Sequence, residues 1–241
     1  MKVLVTGASG ATGQLLIKEL LERGLSVRAI VRSPDRLSGD LREHNLLQIV
    51  TGNILDFSEE ELAGNISGCN TIVSCLGHNL TLRGIFGQPR RLVTDSVRRI
   101  CQAVDSSETS EKVKFILMNT AGNSNRDLYE PLTRGERIMI GLIRFLIPPH
   151  KDNEQASDYL RNNCRSPSKI EWVAVRPDTL INEESVSEYV VHPSPTRSAV
   201  FNAGKTSRIN VAHFMVELIT DDKKWTEWKG KMPVIYNKDF A

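Results

Sequence analysis

The feature that most constrains the fold of this 241-residue chain is a glycine-rich segment near its start, TGASGATG at residues 6–13. It follows a run of β-branched residues, Lys2–Val5, and leads into a leucine-rich run with helical spacing, Ala11–Arg23. A tight turn alone needs one glycine, whereas this segment has three. The sequence therefore predicts a strand, a turn and a helix in which the turn also binds a ligand.

The three glycines have the spacing GxxGxxG, and each has a separate expected role. Gly7 allows the tight turn, Gly10 lets a pyrophosphate approach the backbone, and Gly13 lets the helix pack close to the sheet. The helix start adds unpaired N–H groups and the positive end of the helix dipole. We therefore predict a dinucleotide-binding site that includes Gly7, Ser9, Gly10, Ala11, Thr12 and Gly13.

Downstream, apolar runs of strand length alternate with stretches of helical period, which is typical of a parallel sheet covered by helices. We predict an α/β, Rossmann-type, doubly wound and mostly parallel sheet with helices on both faces. Nothing in the composition marks a boundary, so we expect one domain over residues 1–241, with a substrate-side portion from about residue 177. The predicted strands are Lys2–Val5, Val27–Val31, Leu47–Val50, Thr71–Leu76, Val113–Met118, Ile170–Val175 and a short one at Val234–Tyr236.

The alternation of strands and helices is less regular in the second half of the sequence. A capping box at Thr133–Glu136 predicts a helix that Pro148 and Pro149 stop, followed by a separate helix over Asp152–Arg161. The first of these helices is apolar on more than one face, so it is fully buried, part of a subunit contact or a wall of a substrate site. The polar stretch from residue 177 to 207 predicts a functional loop.

Composition excludes several classes of protein. The formal net charge is +2, which does not indicate nucleic-acid binding, and no apolar run has transmembrane length. The four cysteines are scattered, and the histidines lack metal-ligand spacing, so we expect reduced thiols and no metal. We predict a cytoplasmic monomer or homodimer that binds a small-molecule acceptor and has no nucleic-acid or membrane partner.

The end of the second strand predicts which dinucleotide binds. An acidic residue about 20 positions after the glycines would favour the ribose of NAD, but Arg32 stands 19 residues after Gly13. A guanidinium suits a phosphate. Ser33 adds a hydroxyl and Arg36 a second cation, so the sequence favours NADP over NAD.

Several segments resemble the atypical, NmrA-like branch of the short-chain dehydrogenase/reductase superfamily. The specific matches are TGASGATG and WVAVRPDTL, and GNILD, VSCLGHN and MNTAGN agree with them. The resemblance implies that cofactor-binding residues follow the third to sixth strands. These are Asn53, Ile54, Cys75, Leu76, Gly77, Asn119 and Pro177. For Cys75, a small buried residue on a central strand is the favoured interpretation.

The catalytic Tyr-xxx-Lys pair of the typical branch is absent from this sequence, so a standard alcohol dehydrogenase or epimerase mechanism is disfavoured. Members without the pair reduce flavins, quinones or activated double bonds. We predict an NADPH-dependent oxidoreductase of this kind. Its acceptor, a small apolar or aromatic molecule, would be held between residues 78–84, 129–136 and 178–207. The candidate catalytic residues are Thr120, His150, Lys151 and Tyr159, with His78, Asn79 and Asn123 nearby. The alternative is a non-catalytic NADP(H)-sensing regulatory protein.

Overall fold

The computed structural model describes residues 1–78, 87–107, 111–165 and 167–240. Its strands are β1 (Lys2–Thr6), β2 (Ser26–Val31), β3 (Leu47–Thr51), β4 (Thr71–Ser74), β5 (Val113–Met118), β6 (Ile170–Pro177), β7 (Thr179–Ile181), β8 (Tyr189–His192), β9 (Lys205–Ser207) and β10 (Val234–Asn237). Its α-helices are α1 (Ala11–Glu22), α2 (Gly39–Arg42), α3 (Glu59–Ile66), α4 (Leu92–Ser106), α5 (Arg134–Leu146), α6 (Pro148–Asn163), α7 (Arg208–Thr220) and α8 (Asp222–Trp228).

The main sheet has the order β3-β2-β1-β4-β5-β6-β10-β8, and only the β10–β8 pair is antiparallel. The strand order reverses between β1 and β4, so the crevice outside their carboxyl ends is where such a sheet binds a ligand. The predicted Rossmann-type fold is confirmed.

Two hydrophobic clusters cover the two faces of the sheet. The first contains α1, α7 and α8 residues packed on β1 and β2, and the second contains α3, α4 and α6 residues packed on β4 and β5. Strands buried on both faces consist of nearly continuous apolar residues, as in the VKFILM of β5. β10 and β8, from the C-terminal portion, continue the same sheet.

The segment from residue 177 to 207 is more regular than a loop. It contains β7, β8 and β9, where β7 pairs with β9 and β8 pairs with β10. The sequence-based prediction of an irregular loop here is therefore wrong. Each of these strands has only three or four residues, which is too short for the alternation that identifies a strand in sequence.

The helix before Pro148 and Pro149 ends where the sequence predicted, but the next helix begins earlier than predicted. The preceding helix ends at Leu146, but Pro148 also begins α6 instead of only breaking a helix. Proline fits the first helical position because that residue's N–H would be unpaired in any case. α6 therefore starts four residues before the expected Asp152, which moves His150 and Lys151 from a loop into a helix.

α5 is largely exposed. Glu136 and Ile140 are its buried residues, and the capping box between Thr133 and Glu136 that begins it is formed in both directions. The alternative of a fully buried helix is therefore wrong. No helix within the described ranges has both the length and the apolar character needed to cross a membrane.

Candidate functional site

The glycine segment forms the turn between β1 and α1, and two of its glycines are sterically required. Gly7 has a φ of +71°, and a Cβ there would lie 2.4 Å from the carbonyl carbon of Cys75 on the neighbouring strand end. A Cβ on Gly13 would lie 2.3 Å from the carbonyl oxygen of Gly7. Side chains at these positions would therefore displace the backbone of the turn.

Gly10 has the surroundings expected of a phosphate cradle. A Cβ on it would meet only the Gly7 oxygen, at 3.2 Å, so the space beyond it is open. Gly10 is the extended N-cap of α1, and among the described residues no side chain caps the helix start and no acidic residue lies in its first turn. The N–H groups of this turn therefore remain available to an anion. These features fit a dinucleotide pyrophosphate.

A groove at the carboxyl edge of the sheet joins this turn to the ends of β2, β3 and β4. The predicted residues that line it are Gly7, Ser9, Gly10, Arg32, Arg36, Asn53, Ile54, Cys75, Leu76 and Gly77. Thr6, Ile30, Val31, Gly52 and Leu92 line it as well and were not predicted. Segments distant in sequence thus form one continuous surface, as the dinucleotide hypothesis requires.

Both arginines of the groove are exposed, and they lie on the same side of it, after β2. The guanidinium of Arg28 instead donates to the carbonyl oxygens of Gly64 and Ser67, outside the groove. Burial raises the pKa of the Cys75 thiol to about 12, so this residue stays a neutral, small side chain at the groove wall.

Other predicted cofactor residues do not line this groove. Ser33 is exposed just before a short 3₁₀ helix. The Asn119 amide instead connects neighbouring backbone, because it donates to the Asn153 carbonyl and accepts from the Thr120 N–H. The carbonyl of Pro177 accepts from the Ala121 N–H at 2.9 Å. Ala11, Thr12 and Gly13 form the helix start and do not line the groove itself.

A second cavity of about 310 Å³ lies beyond the carboxyl end of β5. The turn after β5 forms one wall, and the other walls come from the start of α5 and the segment before β9. Its lining includes Ala121, Gly122, Ser124, Glu130, Leu132, Glu136, Ile140, Thr196, Arg197 and Ser198. Two of the three predicted walls of an acceptor site, residues 129–136 and 178–207, therefore contribute to it, whereas residues 79–84, with Asn79, lie outside the described part of the chain.

His150 packs behind Gly122, a lining residue of this cavity, and does not itself line the cavity. A Cβ on Gly122 would be 3.4 Å from His150 Cε1 and 3.7 Å from Thr120 Oγ1. The structure thus brings two of the predicted catalytic residues, Thr120 and His150, to the same turn. His150 is mostly buried, with 12% of its side chain exposed.

Glu154 lies beside His150 and was missed in the sequence. Its Oε1 lies 3.4 Å from His150 Nε2 and 2.7 Å from Arg144 Nη2. Burial alone raises the pKa of this carboxyl, but the nearby His150 ring and the guanidinium of Arg144, which donates to both carboxylate oxygens, outweigh that and hold the pKa at about 2. The available signal was the i, i+4 spacing of His150 and Glu154, which appears only once α6 is known to begin at Pro148.

A network of amide and hydroxyl side chains supports the turn at residues 120–123. Asn123 Nδ2 donates to Ser157 Oγ at 2.7 Å and to Asn119 Oδ1 at 3.3 Å. His78 Nε2 lies 2.8 Å from Asp152 Oδ2, and that carboxylate also accepts the backbone N–H groups of Val93 and Thr94. Asp152 therefore both caps the start of α4 and anchors His78.

The two other predicted catalytic residues are placed differently. Tyr159 packs against the hydrophobic cluster under α4, and burial raises the pKa of its hydroxyl, with Cys101, Cys164 and Asp105 as neighbours. The structure does not bring it to Thr120, because it lies more than two helical turns along α6 from His150. Lys151 is exposed beside His150.

Comparison with known proteins agrees with this geometry. A family model described as NAD(P)H-binding matches residues 7–222. The chain is 25% identical over 222 residues to the chloroplastic Arabidopsis thaliana protein At2g34460, which covers 92% of this chain and 73% of that relative.

Solved structures share the fold. A short-chain dehydrogenase/reductase from Veillonella parvula, in complex with NADP, superposes with a TM-score of 0.73 at 16% identity, covering 99% of this chain and 95% of that one. ChuY, an anaerobillin reductase from Escherichia coli O157:H7, gives a TM-score of 0.70 at 17% identity, covering 100% and 99%. The resemblance that the sequence motifs indicated is confirmed at the level of family and fold.

Proposed function

This chain belongs to the NAD(P)H-binding family, and from that premise we propose that it is an NADPH-dependent oxidoreductase that reduces a small acceptor. The acceptor is a quinone, a flavin or a molecule with an activated double bond. The supporting observation is that the 310 Å³ cavity and the dinucleotide groove open at the same carboxyl edge, with His150 packed behind the cavity residue Gly122. ChuY is a reductase with the same fold, which is consistent with this activity.

The proposal includes a preference for NADP. The exposed guanidinium groups of Arg32 and Arg36 line the groove at the end of β2, where the adenosine ribose lies in a fold of this kind. Arginine matches the geometry of a phosphate and is always charged. A 2′-phosphate would therefore gain charge-assisted hydrogen bonds that a 2′-hydroxyl cannot match.

We expect Arg32→Asp to weaken NADPH binding about tenfold to a hundredfold while changing NADH binding by less than about threefold, because the carboxylate repels a phosphate and accepts from ribose hydroxyls. Isothermal titration calorimetry with both nucleotides measures this. Arg28→Asp is the matched control, because it lies on the same strand with its guanidinium outside the groove. Equal losses for both nucleotides in Arg32→Asp would contradict the assignment.

Each group of residues in the site then has a separate role in the proposed reaction. Bound NADPH supplies the hydride and the reducing equivalents. The turn at residues 120–123 orients the acceptor in the cavity. His150, with Glu154 beside it, donates a proton to the reduced acceptor where one is needed, and Thr120 lies nearby as a hydrogen-bonding group. Reduction of a carbon–carbon double bond needs such a proton, whereas a hydroquinone anion is stable enough in water without one.

The two acceptor classes therefore test the role of His150. We expect His150→Gln to lower kcat for enones about a hundredfold and kcat for quinones by less than about threefold, because only the former relies on a protein acid. Stopped-flow measurement of NADPH oxidation with a panel of quinones, flavins and enones provides both numbers. Lys151→Ala is the matched control and should leave both rates near those of the wild type.

The same panel separates the two functional hypotheses. Turnover with any of the acceptors supports an enzyme. Tight NADPH binding without turnover on the whole panel would instead favour the NADP(H)-sensing alternative, which the absent Tyr-xxx-Lys pair leaves open. An equal loss of both activities in His150→Gln would contradict the proton-donor role while leaving the oxidoreductase proposal intact.

A further inference from the structure

α5 carries a row of large apolar side chains that face solvent. Within residues 138–147, six such residues are at least one-third exposed, and Phe145 is 84% exposed and Ile138 is 67% exposed. The six are Ile138, Met139, Leu142, Phe145, Leu146 and Ile147. Isolated exposed apolar residues are ordinary, but a contiguous row on one helix marks an interaction surface.

The surface of the helix divides lengthwise into an inner stripe, an outer stripe and, between them, an edge of arginines. Residues 136, 140 and 143 form an inner stripe, and the first two line the acceptor cavity. Residues 138, 139, 142, 145 and 146 fall on one outer side, as the helical spacing requires. We name these five residues the outer stripe. Phe201, 60% exposed, extends it, since a Cβ on Gly135 would lie 3.6 Å from its ring.

The charges beside the outer stripe have one sign. Arg134, Arg137 and Arg144 run along one edge of it at helical spacing, and the one acid of the helix, Glu136, is turned inward to cap Thr133. Arg144 is paired with Glu154. Within the described ranges, neither Arg134 nor Arg137 has an ion-pair partner. A negatively charged partner would therefore bind this face more strongly than a neutral or positive one.

We propose that the outer stripe and its arginines dock α5 on the surface of an anionic lipid membrane. A row of exposed Phe, Leu and Ile side chains beside arginines is the pattern of a helix that lies in the interface plane. The chain is attached to the surface without crossing it. This inference departs from the sequence-based expectation of no membrane partner and does not depend on the proposed oxidoreductase activity.

A second copy of the chain fits this face less well. In an antiparallel two-fold pairing of two α5 helices the arginine edges would lie on the same side, and in any two-fold pairing the outer stripe offers no acid to compensate them. Lipid phosphates supply that compensation along the whole edge, and each Lys or Arg near an anionic surface contributes about 1 kcal/mol.

Vesicle flotation of the full chain tests the proposal. We expect the wild type to float with phosphatidylcholine vesicles that contain phosphatidylglycerol, and much less with pure phosphatidylcholine. Phe145→Glu should lower binding to the anionic vesicles about tenfold or more, since it removes an exposed ring that would insert among the lipids and adds a charge that the anionic surface repels. Val186→Glu, an exposed apolar residue away from α5, is the matched control and should bind as the wild type does.

A second variant separates charge from apolar burial. Arg134→Gln with Arg137→Gln should weaken binding to anionic vesicles about thirtyfold and remove most of its salt dependence. NADPH affinity and circular dichroism should stay unchanged in all three variants, which shows that they fold. The proposal is overturned if the wild type does not float, or if Phe145→Glu floats equally well. It is also overturned if size-exclusion chromatography shows a dimer that Phe145→Glu dissociates and no vesicle binding occurs.

Discussion

Replacing Gly13 with alanine should cost about 2–3 kcal/mol of unfolding free energy and weaken NADPH binding about tenfold or more, although alanine is the best helix former. The reason is local geometry. The new Cβ would lie 2.3 Å from the Gly7 oxygen and 3.0 Å from the Cα of Ala8, and both are backbone atoms that cannot rotate away. α1 must therefore move away from the turn, which displaces the N–H groups that receive the pyrophosphate. Urea denaturation and calorimetry measure the two effects.

Gly64→Ala in α3 is the matched control. It is also a glycine within a helix, and nothing lies within 4 Å of its added Cβ. Intrinsic helix propensity then acts alone, so this variant should gain up to about 1 kcal/mol and bind NADPH normally. The two substitutions, identical in chemistry, should shift stability in opposite directions. A neutral Gly13→Ala would show that the close contact between α1 and the turn is not required.

The parts of the fold that depend on local sequence pattern were the most predictable. β5 was expected at Val113–Met118 and lies there, since a strand buried on both faces is apolar at nearly every position. The capping box expected at Thr133 is formed, and Ser58 begins α3 with the same motif, because the donors and acceptors of such a box are three residues apart. The start of α6 at Pro148 was missed because the same proline can end one helix and begin another.

The dinucleotide groove was predictable for a related reason. Its residues follow parallel strands, so their positions at the carboxyl edge are fixed by where each strand ends. The partners of the site were not predictable in this way. Glu154 depends on the correct start of α6, and Glu130 meets Arg176 from 46 residues away in sequence, which only the tertiary structure determines.

Arg176 is the largest fully buried side chain in the described part of the chain, and it joins four parts of the chain next to the cavity. Its Nη2 donates to Glu130 Oε1 at 2.8 Å, and Nη1 donates to the Asn123 carbonyl at 2.8 Å. Nε donates to the Met232 carbonyl at 2.7 Å, and Nη2 also reaches the Pro193 carbonyl at 3.1 Å. The guanidinium thus fastens the segment after β5 to the strands of the C-terminal portion.

We expect Arg176→Met to lose about 3–5 kcal/mol of unfolding free energy and roughly 10 °C of Tm. Methionine fills much of the volume, but the Glu130 carboxyl, with 6% of its side chain exposed, would lose its guanidinium partner, and three carbonyls would lose their donor. Lys18→Met, which removes an exposed pair with Glu22, is the matched control and should leave the urea midpoint unchanged.

A double substitution tests whether the buried pair itself causes that loss. Arg176→Met combined with Glu130→Leu removes the unpaired carboxylate as well, so it should be more stable than Arg176→Met alone, whereas independent sites would give the sum of two losses. Because Glu130 also lines the 310 Å³ cavity proposed for the acceptor, KM for the acceptor should rise in both variants while NADPH affinity stays near that of the wild type. A double variant as unstable as the sum of the single ones would mean that the carbonyl contacts of Arg176, and not its charge pairing with Glu130, hold this region together.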